Sequence, residues 1–246
     1  MTIKNVIFDM GNVLVRINPP STPEAFVSLG TGKEAVNAAF EHKELFIEYH
    51  SGFIDTPTFR RILKEELNLP HITDEQFDKA WLASVTEPTY LTEDFKHRLR
   101  EIEGYKHHRL NTFLLSNNNE VHYLYTTKYF SELLNRAISA DRQYYSHQIG
   151  LMKPELEVYN FVLDKNNLKS DECIFIDDVL ENVEAAKAVG MHALQLTRDD
   201  PIENILIAIN DINAYKTLSN SSLALFNEPP KNSDKQQELQ LIQNSR

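Results

Sequence analysis

The 246-residue chain has a single cysteine, Cys173, so no disulfide can form within it. Cys173 opens an apolar run, where a thiol packs as a small hydrophobe, and a reducing compartment suits it. Basic charge is scarce. Lys and Arg number 25 against 36 Asp and Glu, a formal net charge of -11, and no window is dense in Lys and Arg. The sequence-independent attraction to a phosphate backbone therefore has no carrier, which argues against nucleic acid and against an anionic membrane as partners. Nowhere do about 18 apolar residues follow one another, as a membrane span would require. The amino terminus, MTIKNVIFDM, enters a strand pattern with no apolar leader ahead of it, and a soluble, cytoplasmic protein is expected. No internal repeat is visible.

Four short apolar runs stand out: Val6-Ile7-Phe8, Thr112 to Leu115, Cys173 to Ile176, and His192 to Leu196. Helical patterns separate them, and that alternation predicts an α/β fold: an open parallel, Rossmann-like sheet covered by helices. After "FIDD", Val183, Ala186 and Val189 recur at helical spacing up to Gly190, which suits the left-handed position past a helix end. Pro154 suits the first turn of a helix carrying Val158, Phe161 and Val162. About 100 residues separate the first two strands, far more than one crossover helix needs. Their pattern is helical. Thr56-Pro57 precedes Phe59, Ile62, Leu63 and Leu67 on one face, and Thr73 with Gln76 forms a capping-box signature before Phe77, Ala80 and Trp81. Residues 16–95 are therefore expected to be an inserted helical cap on a core made of 1–15 and 96–214. The polar tail 215–246, with Pro229 and Pro230, is expected to be flexible.

The strand ends carry the chemistry-bearing residues. "IFDMGNVL" supplies Asp9, "FLLSNNN" Ser116 and Asn117, "GLMKPE" Lys153, and "FIDDVLEN" Asp177 and Asp178. In an open α/β sheet such residues converge at the carboxyl edge of the strands. Together they are a nucleophile or metal ligand, donors for phosphate oxygens, a cation and a pair of acids, which is the set that phosphate chemistry needs. Two acids facing one pocket repel each other unless a cation lies between them.

Taken in this order, the four segments resemble the motifs of the haloacid dehalogenase-like hydrolase superfamily, and the insertion resembles its helical cap. The resemblance implies that Asp9 attacks the substrate and forms an aspartyl-phosphate, that Ser116 binds phosphate with Asn117 and Asn12 beside it, and that Lys153 neutralises charge. It implies Mg2+ held by Asp9, by the backbone carbonyl of Gly11 and by Asp177, with Asp178 in a water-mediated place. Gly11 departs from the usual pattern, because phosphatases of the family keep a second acid there as general acid and base. The Asp-x-Gly-Asn-Val motif resembles a branch that includes an alpha-glucose 1-phosphate phosphatase. The expectation is a Mg2+-dependent phosphatase of small phosphorylated metabolites, sugar phosphates among them. The rivals are a metal-independent dehalogenase and a non-catalytic phosphate-binding protein.

Plainer readings accompany several residues. Ser116 to Asn119 could cap a helix starting near Glu120, and helix caps and phosphate sites use the same exposed amides. Glu181 and Asn182 read as helix-start residues. His107 and His108 sit in a polar link and read as solvated. In the cap, His42, Phe46, Tyr49 and His50 have the spacing of a packed helix face, with one or two of them available to the substrate pocket. Tyr123, Tyr125, Tyr129 and Phe130 read as a helix face packed on the sheet.

Overall fold

The computed structural model describes residues 2–85, 93–197 and 199–227. Strand β1 (Asn5–Phe8) leads to the inserted helices α1 (Ser21–Ser28), α2 (Lys33–Phe40), α3 (Lys43–His50), α4 (Thr56–Glu66) and α5 (Asp74–Trp81). The chain then returns through α6 (Glu93–Gly104), β2 (Asn111–Ser116), α7 (Glu120–Ala137), β3 (Gln143–Tyr145) and the single turn α8 (Ser146–Ile149). It closes with α9 (Leu156–Lys165), β4 (Cys173–Asp177), α10 (Leu180–Ala188), β5 (His192–Gln195) and α11 (Asn204–Asn227).

The sheet has the order β3-β2-β1-β4-β5, and each adjacent pair is parallel. Phe8 lies opposite both Leu114 and Ile176, which puts β1 at the centre and brings its end level with the ends of β2 and β4. The apolar runs are unbroken because both faces are covered. Val6, Phe8, Leu114, Ile174 and Ile176 pack on one side with Phe95 and Leu99 of α6 and Ile205 and Ile209 of α11. Ile7, Phe113, Leu115, Cys173 and Phe175 pack on the other with Val158 and Val162 of α9 and Ala186 of α10. Strand β3 carries no apolar run; three residues beginning with Gln143 form this edge, and no sequence pattern marked it.

The insertion has its own core, built around Phe26, Phe59, Leu63, Phe77 and Trp81. Two of its helices, α4 and α5, start at side-chain caps. The Asp55 side chain accepts the Thr58 N–H at 2.9 Å, and Thr73 and Gln76 exchange side-chain to backbone hydrogen bonds at 3.1 and 2.9 Å, a completed capping box. At Gly52 (φ +71°) a side chain would meet the His147 carbonyl at 2.1 Å, so the glycine lets the end of α3 press against the core.

Two helix boundaries differ from the sequence reading. Pro154 is not in a first turn: the Glu155 N–H closes a turn onto the Met152 carbonyl at 3.1 Å, and α9 begins only at Leu156. The last helix runs through Ala214, after which the sequence reading starts the polar tail, to Asn227, while residues 228–246 lie outside the described residues. Gly190 does take the left-handed conformation (φ +86°) just past α10.

Candidate active site

Asp9, Ser116 and Asp177 stand at the carboxyl ends of three adjacent central strands. Asp9 follows β1 directly, and its N–H still reaches the Ile176 carbonyl at 2.8 Å. Ser116 and Asp177 are the last residues of β2 and β4. This is the crevice where the strand order turns, β2 and β3 lying to one side of β1 and β4 and β5 to the other, the usual ligand site of such folds. All three side chains are buried.

Lys153 ties the acids together. Its ammonium donates to Asp9 Oδ1 and to Asp177 Oδ2, each at 2.6 Å, and it is itself only 4% exposed. The loop bearing it is fixed by Asn117, whose side chain donates to the Lys153 carbonyl at 2.8 Å and accepts the Lys153 N–H at 2.9 Å. The side-chain amide of Asn117 is thus engaged with the lysine loop. Asp177 also accepts the Val179 N–H at 2.9 Å and the Asn182 side-chain amide at 3.0 Å. Asn182, read from sequence as a helix-start residue, is a buried positioning residue; its place one turn into α10, five residues after Asp177, was the available signal. Asn12 takes a left-handed backbone (φ 52°) and donates to Asp178 Oδ2 at 3.0 Å.

The electrostatics ask for a further cation. Asp9, Asp177 and Asp178 bring carboxylate oxygens within 4.8 Å of one another, and one lysine is the only cation hydrogen-bonded to them among the described residues. Burial pushes the Asp9 carboxyl up to about 6; Lys153 opposes that shift and Asp177 reinforces it. Burial alone would depress Lys153, but Asp9 and Asp177 outweigh it and hold the ammonium above the usual lysine range. Three hard oxygen donors against one fixed positive charge fit a divalent cation such as Mg2+.

A cleft opens from this centre toward the insertion. Met10, Gly11, Val15 and Ile17 form one wall, Tyr125 and Phe130 of α7 another, and Ser84 and Val85 approach from the insertion, with Ser116, Asn117, Asn118, His122 and Thr126 completing it. Tyr123, Tyr125 and Phe130 do pack against the sheet core, whereas Tyr129 is 56% exposed. His107 and His108 are exposed. None of His42, Phe46, Tyr49 and His50 lines the cleft. Asn119 instead joins insertion to core. Its oxygen accepts Trp81 Nε1–H at 3.2 Å and the His122 N–H at 3.1 Å. Its amide faces His50 Nε2 at 3.2 Å and His122 Nδ1 at 3.0 Å. The other ring nitrogens point at carbonyls, His50 Nδ1 at Phe46 (2.8 Å) and His122 Nε2 at Trp81 (3.2 Å). Every bond is satisfied only when both rings are neutral.

A family model for haloacid dehalogenase-like hydrolases matches residues 3–190. The chain belongs to this family. Among curated relatives, it is 28% identical over 196 residues to a D-ribitol-5-phosphate phosphatase of Bacteroides thetaiotaomicron, covering 78% of this chain and 91% of that protein. It is 30% identical over 199 residues to a sesquiterpene phosphatase of Aspergillus oryzae, covering 80% and 91%. A haloacid dehalogenase family enzyme of Bacteroides thetaiotaomicron, crystallised with magnesium and inorganic phosphate, superposes with a TM-score of 0.72 at 22% identity, covering 82% of this chain and 98% of that one. That likeness shows the shared fold.

Proposed function

We propose that this hydrolase is a Mg2+-dependent phosphatase of small phosphorylated metabolites, working through an aspartyl-phosphate on Asp9. The observation that carries this reading is the convergence of Asp9, Lys153, Asp177 and Asp178 on one buried crevice. The two phosphatase relatives support it. A divalent ion held by Asp9, Asp177 and Asp178, with the Gly11 carbonyl, would supply positive charge against the phosphoryl oxygens. The remaining chemistry belongs to the chain's own groups. Lys153 holds Asp9 Oδ1, while Asp9 Oδ2 lies on the Gly11 side, 3.8 Å from where a Cβ at that position would stand. Oδ2 is therefore the attacking oxygen. Its bond to phosphorus forms as the ester P–O bond breaks, and the departing alkoxide takes a proton from water because Gly11 offers none. Lys153 stays protonated and counters the charge on the transferring group. A water then attacks the phosphoryl group, releasing inorganic phosphate and restoring the carboxylate. Ser116, at the end of β2, donates its hydroxyl to a phosphate oxygen in this reading. No helix among the described residues is long and apolar enough to cross a membrane, and with its single cysteine free and buried we place the protein in the cytoplasm.

The test is a phosphate-monoester panel run with and without Mg2+ on the wild type and on Asp9→Asn. Release of phosphate that requires Mg2+ and vanishes in a folded Asp9→Asn protein is expected, since the amide is a poor nucleophile and a weaker metal ligand. Haloacid turnover that survives chelation of divalent ions would overturn the reading.

A further inference from the structure

We propose that the cleft grips the alcohol half of its substrate by apolar contact, so that the phosphate monoester it takes carries a hydrocarbon chain or ring rather than a polyol. The proposal rests on the phosphatase reading of the same site and names its substrate class. Beyond the crevice, the walls are Met10, Val15, Ile17, Val85, Tyr125 and Phe130. No lining residue among those described carries a charged side chain.

Most of the polar lining is already engaged. Thr126 Oγ1 donates to the His122 carbonyl at 2.9 Å. The His122 ring nitrogens face Asn119 and Trp81, the Asn117 side chain is clamped on Lys153, and Asn118 Oδ1 accepts the Asn119 N–H at 2.8 Å. A polyol brings a hydroxyl on nearly every carbon, more than the Ser84 and Tyr125 hydroxyls beside Ser116 can pair, and each one left over loses water on entry without gaining a partner. A hydrocarbon chain loses nothing comparable and removes apolar wall from water. Ile17 places this preference next to the chemistry, because its Cδ1 lies 3.2 Å from where a side chain at Gly11 would begin. The position that elsewhere in the family holds an acid is here faced by a methyl group.

The experiment measures binding of n-alkylphosphonates, from ethyl to octyl, to the full-length wild-type protein with Mg2+, by calorimetry. Hydroxylated phosphonates of equal carbon number serve as the comparison. A phosphonate cannot be hydrolysed, so the result stands whether or not the protein turns over any ester; if no ester is hydrolysed while the series holds, the phosphatase reading alone falls. Kd is expected to fall about three- to fourfold per methylene over the first several carbons, the increment of burying one CH2. Hydroxylated ligands are expected to bind at least tenfold more weakly than their alkyl counterparts. Ile17→Asn and Phe130→Ser are each expected to cut the increment below twofold. The second variant also loses the edge contact with Phe95, 4.9 Å between ring centroids, so the first stands for the cleft if the second does not fold. A flat or absent response along the alkyl series, an equal or better hydroxylated ligand, or an unchanged increment in Ile17→Asn would overturn the proposal.

Discussion

The side-chain amide of Asn117 makes both of its hydrogen bonds to the main chain of Lys153, donating at 2.8 Å and accepting at 2.9 Å. The residue that sequence assigns to substrate binding therefore sets the position of the buried lysine. Asn117→Ala is expected to lower kcat by roughly 10- to 100-fold, the scale on which a misplaced catalytic group loses rate. It should cost about 1–2 kcal/mol of stability for the two lost bonds. Steady-state kinetics and a denaturant titration check both. A raised KM with kcat retained would return Asn117 to direct phosphate binding.

The acid pair divides by partner. Asp177 is fully buried and accepts from Val179, Asn182 and Lys153, whereas Asp178 is half-buried and is held by Asn12. Asp177→Asn is expected to raise the Mg2+ concentration for half-maximal activity more than Asp178→Asn, for which a change of about 10–100-fold fits a group outside direct contact with the ion. Asp177→Ala should also lose about 3–5 kcal/mol of stability by leaving buried donors unmatched. Mg2+ titrations of activity with parallel melts decide; the reverse order for Mg2+ would exchange the two roles.

Much of this was legible because one physical rule governed each reading. Strands buried on both faces are apolar throughout, so β1, β2 and β4 announced themselves, and residues just past such strands must gather at one sheet edge. Strand β3 did not, since three edge residues starting with Gln143 form no pattern. The pairing of Asn117 with Lys153, 36 residues apart, has no local signature, because both partners lie in loops whose approach is set by packing. Asn119 shows the same limit. Its capping role follows from its place before Glu120, but its bonds to His50 and Trp81 depend on how the insertion settles on α7.

That junction predicts a pH dependence. Burial holds His122 down at about 4, below the ordinary imidazole value of about 6.5, and depresses His50 as well. In the unfolded chain both rings take up protons near 6.5, while the folded junction refuses them, so the unfolded state binds more protons between about pH 6.5 and 4. Stability is therefore complete above that window and declines as pH falls through it. The loss attributable to His122 is on the order of 3 kcal/mol. Denaturant midpoints measured from pH 7.5 to 4 should drop more steeply for the wild type than for His122→Gln. Parallel slopes would remove His122 from the account.

Gly11 is the residue on which the proposed leaving-group preference hinges. It lies outside the left-handed region, so the turn does not demand glycine, and what faces a side chain there is the flexible end of Ile17 at 3.2 Å. Gly11→Asp is expected to fold with little loss of stability after a small shift of Ile17, and Ile17→Ala in the same chain removes even that obstacle. The wild type, lacking an acid, is expected to favour phenyl phosphate over n-hexyl phosphate. The two esters match in carbon number, so the ratio of their kcat/KM values isolates the stability of the leaving oxygen from the apolar burial of the group attached to it. General-acid assistance contributes roughly 10²–10⁴-fold when the leaving oxygen is a poor one and little when it is already stable as an anion. A carboxyl restored at position 11, beside Asp9 Oδ2, should therefore raise the hexyl rate far more than the phenyl rate and shrink the ratio by about tenfold or more. Equal wild-type rates on the two esters would mean that another group already protonates the leaving oxygen. Tyr125, whose hydroxyl burial holds above its ordinary pKa and whose ring lines the cleft, would then be the first residue to replace by Phe.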